Sequence, residues 1–92
     1  MKTWFITGAS RGLGRETALA ALAAGDQVVA TGRDPGKVTA ALGAHERLLI
    51  LALDVTESES IRSAVDATLQ RFGRIDVLVN NSGYGLLGAF ET

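Results

Sequence analysis

Three glycines with a regular spacing are the residues with the clearest chemical potential. Gly8, Gly12 and Gly14 lie in the segment Thr7–Gly14, between a short apolar run and an Ala/Leu-rich stretch. A strand, a glycine turn and a helix N-terminus in this order expose backbone N–H groups at the positive end of a helix dipole, which favours an anion. Glycine is needed where a Cβ would block the turn or the approach of phosphates. The segment therefore predicts a loop that binds the pyrophosphate of a dinucleotide.

Two other interpretations of this loop are available. A nucleoside-triphosphate P-loop is excluded, because it needs a lysine at the end of the loop and the only lysines are Lys2 and Lys37. An ordinary turn between a strand and a helix is the alternative. The position of the loop inside a βαβ unit of about 30 residues favours the binding loop over that alternative.

The end of the second predicted strand indicates which nicotinamide cofactor is bound. An acid there would accept hydrogen bonds from a free ribose 2′-hydroxyl, but this chain has Arg33. The planar guanidinium of Arg33 suits a phosphate, and Arg11 in the glycine loop can approach the same ribose edge. The nearest acid, Asp34, precedes Pro35 and is better suited to cap a helix. The two arginines predict NADP(H), with solvated surface charges as the alternative.

Short β-rich runs alternate with helical patterns along the whole chain. The predicted strands cover residues 2–7, 26–31, 47–53 and 76–80, and the predicted helices cover about 12–24, 35–42 and 57–72. The third run, 47–53, is continuously apolar after its first residue, which is typical of a strand covered on both faces. The order β-α-β-α-β-α-β predicts an α/β fold, a doubly wound parallel sheet of the Rossmann type with strand order 3-2-1-4.

Cap residues predict where the helices begin and end. Gly25 is a suitable C-cap, and Asp34 followed by Pro35 is a suitable start for the second helix. Thr56 and Glu59 have the spacing of a capping box at the start of the third helix. The apolar face predicted for that helix consists of Ile61, Ala64, Val65, Thr68, Leu69 and Phe72.

Composition restricts the class of protein and its partners. The 92 residues suffice for one domain at most, and 47% hydrophobic with 21% charged residues is typical of a globular chain. The net charge of −1 gives no electrostatic reason to expect nucleic acid or an anionic membrane as a partner. There is no cysteine and His45 is the only histidine, so thiolate and multi-histidine metal sites are excluded. No signal peptide or membrane span is visible, and we expect a cytoplasmic protein.

Three motifs resemble those of the classical short-chain dehydrogenase/reductase family. Thr7–Gly14 is similar to its T-G-x-x-x-G-x-G cofactor motif, and Leu53–Thr56 is similar to its acidic turn after strand 3. Asn80–Gly83 is similar to its N-N-A-G motif after strand 4, with Ser82 in place of the usual alanine. The motifs occur in the family's order and span nearly the whole chain. The resemblance implies that residues 1–92 are the N-terminal portion of a single NAD(P)-binding Rossmann domain.

The resemblance also implies a set of cofactor contacts. The residues implied at the pyrophosphate are Gly8, Gly12, Leu13 and Gly14. Those implied at the adenosine 2′-phosphate are Ser10, Arg11 and Arg33, and those at the adenine are Asp54 and Val55. Those implied near the cofactor riboses are Asn81, Ser82 and Gly83, with Asn80 bracing the sheet. For Asp54 taken alone, an acid at a helix start is an equally good interpretation.

Catalytic residues are missing from these 92 residues. The family's catalytic serine, its tyrosine and lysine in a Tyr-x-x-x-Lys motif, and a further asparagine lie beyond the N-N-A-G segment, whereas the only tyrosine here is Tyr84 and the residue four positions later is Gly88. The resemblance implies the cofactor-binding part of a longer NADP(H)-dependent oxidoreductase that acts on a small carbonyl or alcohol, and we expect the chain alone to be inactive. Residues 84–87 either border the nicotinamide end or form a simple return loop.

Two alternatives to the oxidoreductase stay open. The chain could be a self-standing module that binds or senses a dinucleotide, or a non-functional truncated fragment. The sequence favours neither of them positively. The last strand would have an open apolar edge and residues 89–92 resemble the beginning of a helix, and both features are more easily explained by lost sequence than by design. The open edge also favours association, so a homo-oligomer is a state that the sequence allows.

Overall fold

Strands and helices alternate strictly along the chain. The structure is a computed structural model, and it describes residues 1–81. The elements are β1 (Thr3–Thr7), α1 (Gly12–Ala23), β2 (Gln27–Gly32), α2 (Pro35–Leu42), β3 (Leu48–Ala52), α3 (Ser58–Phe72) and β4 (Val77–Asn80). Within residues 1–81, no helix is long and apolar enough to cross a membrane.

The four strands form one parallel sheet in the order β3-β2-β1-β4. The central strand β1 places Phe5 opposite Val29 on β2 and Leu78 on β4. The predicted fold class and strand order are confirmed. The order reverses between β1 and β4, and in open parallel sheets a ligand crevice forms at that point, beyond the carboxyl ends of the strands.

Side-chain alternation on β1 and β2 divides the core into two layers, one on each face of the sheet. On the first face, Ile6, Val28 and Ala30 pack under α1 and α2. The buried residues that the two helices contribute to this layer are Ala18, Ala21 and Val38. On the second face, Phe5 and Val29 pack with residues from the segment after β3 and from α3, namely Leu53, Ile61 and Ala64.

Strand β3 is less covered than its apolar sequence predicts. Leu48 is buried, the next three residues are only half-buried, and Ala52 is exposed. The reason is topological, because β3 is at the edge of the sheet and pairs only with β2 among the described strands. The apolar run predicted the strand correctly but not its position in the sheet.

The predicted capping box at the start of α3 is wrong. The helix begins at Ser58, and the residue in the N-cap position is Glu57, whose side chain makes no capping hydrogen bond. The Thr56 hydroxyl instead donates to Asp54 Oδ1 at 2.6 Å, and the Thr56 N–H donates to the same oxygen at 2.9 Å. A charged carboxylate is a stronger acceptor than a hydroxyl, so Asp54 organises a turn in front of the helix.

The other helix-end predictions are confirmed. Asp34 Oδ1 accepts a hydrogen bond from the Gly36 N–H at 3.0 Å, with Pro35 at the first helical position. Gly25 and Gly73 follow α1 and α3 with φ values of 90° and 79°, which L side chains rarely adopt. On α3, however, Leu69 is 45% exposed. It lies about 80° around the helix axis from the buried Ile61, at the border of the apolar face.

Two aspartates hold the amino-terminal ends of the strands together. Asp26, in front of β2, accepts hydrogen bonds from the Lys2 N–H and from Trp4 Nε1, both at 3.0 Å. These two bonds lower the pKa of Asp26 from its ordinary value. They fix the start of β1 against the start of β2, at the edge of the sheet opposite the crevice.

Asp76 makes the equivalent connection between β4 and β1. Its Oδ2 accepts from the Thr3 N–H at 2.8 Å, and its own N–H donates to the Thr3 carbonyl at 2.9 Å. The bond from Thr3, followed by the bond from the Arg74 guanidinium, lowers the pKa of Asp76. A carboxylate that accepts such bonds stabilises the fold only while it is ionised.

We expect Asp76→Asn to destabilise the protein in a pH-dependent manner. Because folding lowers the pKa of Asp76, its contribution is present above the ordinary value of 3.8 and is lost as the pH falls through the lower folded value. Urea unfolding should therefore show a clear gap between wild type and variant at pH 7 that closes towards about pH 2.5. Asp66→Asn, at an exposed position on α3, is the control and should show no comparable gap. A gap of equal size at both pH values would contradict this assignment.

Candidate functional site

A cleft of about 590 Å³ opens beyond the carboxyl ends of β1, β2 and β4. It is bordered by the loop after β1, the end of β2, the segment after β3 and the first residue after β4. The lining residues are Gly8, Ser10, Arg11, Gly12, Leu13, Gly14, Gly32, Arg33, Leu53, Val55 and Asn81. Most of the residues predicted for cofactor binding are therefore gathered at one place, the crevice expected from the strand order.

The glycines of the loop have different roles. Gly8 and Gly12 both have φ of 61°, a backbone conformation that costs an L residue about 1–2 kcal/mol. Gly14 lies inside α1, where an added Cβ would be 2.3 Å from the Gly8 carbonyl oxygen. Gly8 and Gly12 thus make the turn possible, and Gly14 lets the helix approach the turn.

The N-terminus of α1 has neither a side-chain cap nor an acid in its first turn within the part of the chain that the structure describes. Arg11 occupies the N-cap position in an extended conformation and makes no side-chain cap, and the first turn contains no acid. The first N–H groups of a helix have no intrahelical partner, so they and the helix dipole favour a negatively charged ligand. Leu13 on this turn is 72% exposed and presents an apolar surface at the cleft.

Two arginines line the cleft without a salt bridge in the described part of the chain. Arg11 and Arg33 are both exposed, and neither guanidinium forms a salt bridge or hydrogen bond within residues 1–81. Between them, Gly32 ends β2, and an added Cβ there would lie 2.9 Å from Val38 Cγ2. The Asp34 carboxylate is used to cap α2. The end of β2 therefore presents a guanidinium at the cleft, and the charge of Arg33 is among the causes that lower the pKa of Asp54.

The turn after β3 forms the wall of the cleft near Arg33. Leu53 is buried and its N–H donates to the Gly32 carbonyl at 2.8 Å, and Val55 lines the cleft. Asp54 is not among the lining residues. Its side chain accepts the two bonds from Thr56, first from the hydroxyl and then from the N–H, which lower its pKa. Its contact with the adenine stays a prediction.

The end of β4 is joined to the end of β1 by polar side chains. The Thr7 hydroxyl donates to Asn80 Oδ1 at 3.0 Å and accepts from the Asn81 N–H at 2.9 Å. Asn80 thus has the position of a brace between the strands, as expected, and Asn81 lines the cleft. The predicted contacts of Ser82 and Gly83, and the role of residues 84–87, lie outside the described residues.

Sequence reasoning missed three residues that shape the cleft. Gly32 and Leu53 line it, and Thr31 holds its loop. The Thr31 carbonyl accepts from the Ala9 N–H at 3.1 Å, and its hydroxyl donates to the Ile6 carbonyl at 2.9 Å. Their positions in the sequence could have indicated this role, because residues at the carboxyl ends of adjacent parallel strands meet at one edge of the sheet.

The part of the chain described by the structure contains no group of three His, Asp or Glu side chains that could hold a metal ion.

A strand, a glycine turn and an uncapped helix in a parallel sheet of this order define a Rossmann-type nucleotide-binding unit. The family model for short chain dehydrogenases matches residues 2–92. The chain belongs to the short-chain dehydrogenase family, whose members are oxidoreductases that typically bind a nicotinamide dinucleotide.

Individual relatives agree with this assignment. The chain is 48% identical over 92 residues to oxidoreductase BOA17 of Botryotinia fuckeliana, with 98% of this chain and 34% of that protein covered. A short-chain dehydrogenase structure from Streptomyces avermitilis is 45% identical with a TM-score of 0.83, over 90% of this chain and 32% of that one. The N-domain of a bacterial malonyl-CoA reductase with NADP is 43% identical with a TM-score of 0.81, over 90% of this chain and 17% of that one. The chain thus spans about a third of the curated relative's length.

The different roles of the glycines predict different costs of substitution. Gly12→Ala should cost about 1–2 kcal/mol, because a Cβ there has open space and only the positive φ is strained. Gly14→Ala should cost about 3 kcal/mol or more, because backbone atoms of Gly8 would have to move. Denaturant unfolding of both variants measures the difference. A smaller loss for Gly14→Ala than for Gly12→Ala would contradict the tight contact between the helix and the turn.

Proposed function

We propose that this chain forms the NADP(H)-binding part of an oxidoreductase that transfers a hydride between NADP(H) and a carbonyl or alcohol. One observation supports the choice of cofactor above the others. Arg11 and Arg33 line the same cleft as the glycine loop, and neither forms a salt bridge within residues 1–81, although the charge of Arg33 contributes to the lowered pKa of Asp54. A ribose 2′-phosphate would supply the missing negative charge, and a guanidinium can bind it through two parallel hydrogen bonds.

The absence of an acidic side chain at the end of β2 also supports NADP(H) as the cofactor. An acid at the end of β2 would accept hydrogen bonds from the ribose 2′-hydroxyl of NAD(H), but the strand ends in Gly32, which has little space for a side chain beside Val38, and Arg33 follows it. Asp34 is the next candidate, and its carboxylate caps α2. The similar N-domain of malonyl-CoA reductase is described with NADP.

The residues present fit a dinucleotide. The uncapped N-terminus of α1 and the glycine turn would hold the pyrophosphate, Val55 would border the adenine, and Asn81 would lie near a ribose. When bound, the nicotinamide ring supplies the hydride chemistry. What this chain contributes is binding and orientation, because a hydride transfer to a carbonyl also needs a proton donor near the reacting oxygen.

Charge reversal at Arg33 tests the cofactor preference. Arg33→Asp should weaken NADPH binding tenfold or more, since a charge-assisted hydrogen bond contributes ~1.5–3 kcal/mol and 1.4 kcal/mol is about tenfold. NADH binding should be retained or improved, because the new carboxylate can accept from a 2′-hydroxyl. Fluorescence titration with both cofactors measures the ratio, with Arg62→Asp on the exposed surface of α3 as the matched control. An unchanged NADPH/NADH ratio in Arg33→Asp would refute the proposed role.

Activity of the isolated chain is the second test. We infer that the purified 92-residue protein oxidises no NADPH with carbonyl substrates, since its sequence contains no Tyr-x-x-x-Lys motif. The assay follows the loss of NADPH absorbance with a panel of aldehydes and ketones, and a cofactor titration on the same sample shows whether the cleft is functional. Measurable turnover by the pure chain would overturn this inference and would require an acid from within residues 1–92.

A further inference from the structure

A second cleft, of about 430 Å³, adjoins the dinucleotide cleft on the outer side of the glycine loop. We call it the α1–α2 recess. Its lining residues are Ser10, Arg11, Arg15, Lys37, Ala40 and Ala41. Ser10 and Arg11 line both clefts, so the recess begins where the proposed site of the 2′-phosphate lies. None of the three sequence motifs includes Lys37.

The recess contains more positive charge than its surroundings neutralise. Arg15 is engaged, since its guanidinium forms a salt bridge with Glu16 at 3.3 Å and donates to the Ala41 carbonyl at 3.3 Å. Arg11 and Lys37 have no acidic partner and no side-chain hydrogen bond within residues 1–81. The nearby carboxylate of Asp34 accepts from the Gly36 N–H.

The positions of these cations in the helices increase the imbalance. Arg11 is the N-cap residue of α1, and Lys37 is the third residue of α2. The first turn of each helix contains no acid. A cation near a helix N-terminus is disfavoured by the helix dipole, whereas an anion there is favoured. The N-terminus of α2 is already capped by the Asp34 carboxylate, so the uncapped N-terminus of α1 and the two cations without a salt bridge in residues 1–81 are what favour an anion from outside the chain.

We propose that Lys37 is a specificity-determining residue for the phosphate monoester of the cofactor. Its ammonium group, with the guanidinium groups of Arg11 and Arg33, would surround the 2′-phosphate from the side of α2. The arginines provide planar hydrogen-bonding groups, and the lysine adds a mobile point charge on a flexible stem. This inference rests on the proposed function, because it assumes that the cleft prefers NADP(H) to NAD(H).

The test uses the full-length gene product and two adenosine probes that lack the nicotinamide half. In calorimetric titrations at low salt, Lys37→Glu should weaken 2′,5′-ADP binding about tenfold and leave 5′-AMP binding unchanged. Lys37→Gln should weaken 2′,5′-ADP binding about threefold, as expected for loss of one exposed charge. The thermal midpoint of ligand-free Lys37→Glu should stay equal or rise, because an acid replaces a cation in the first turn of α2.

Lys37→Glu is expected to weaken 2′,5′-ADP binding while the thermal midpoint stays equal or rises. This combination distinguishes a ligand role of Lys37 from a structural role. A merely structural lysine would lower stability and binding of both probes together, and that result would overturn the proposal. Lys2→Gln changes the other lysine of residues 1–92, in front of β1 and away from the cleft, and should alter neither probe. If Lys37→Glu weakens binding of inorganic phosphate but not of 2′,5′-ADP, the recess is a separate anion site and the proposal is wrong.

Arg33→Asp distinguishes failure of this inference from failure of the proposed function. If Arg33→Asp abolishes the preference for 2′,5′-ADP over 5′-AMP and Lys37→Glu retains it, only the role of Lys37 is refuted. If wild type shows no preference for the 2′-phosphate, the proposed cofactor choice fails together with the role of Lys37.

Discussion

Helix α1 packs so closely against the turn after β1 that no side chain fits at the point of contact. A Cβ on Gly14 would lie 2.3 Å from the Gly8 carbonyl oxygen and 3.0 Å from Asn81 Nδ2. The start of the helix is therefore held beside the carboxyl end of the central strand and beside the first residue after β4. Because of this contact, the free N–H groups of the helix, its dipole and the Asn81 amide all belong to one cleft.

Buried hydroxyl groups keep the strand ends in register around that contact. Thr7 and Thr31 are both fully buried at the ends of β1 and β2. A buried hydroxyl without a partner costs free energy, and here both are paired, with Asn80 and Asn81 for the first and with the Ile6 carbonyl for the second. These bonds connect three parallel strands at the edge where the cleft begins. A site built on such rigid elements can orient a long cofactor better than one built on loops alone.

The charged side chains around the cleft are predominantly cations. Helix α1 begins without an acidic residue or a side-chain cap, and Arg11 and Arg33 form no salt bridge in the described part of the chain. Lys37 on α2 extends the same positive region towards the α1–α2 recess. The acids of the neighbourhood serve the fold instead, since Asp34 caps α2 and Asp54 organises the turn before α3. In the described part of the chain, these acids therefore serve the fold, and the cations at this edge of the sheet form no salt bridge with them.

The sequence by itself determined the features that depend on neighbouring residues. The strand order follows from alternating apolar runs and helical patterns, the glycine loop from its spacing, and the start of α2 from Asp34 and Pro35. The capping box failed because Thr56 has two possible partners, and only the folded turn shows that Asp54 binds it. Likewise, the edge position of β3 and the place of Lys37 beside Arg11 were decided by the tertiary structure. The reason is that they arise from packing between elements, which brings together residues that no local pattern relates.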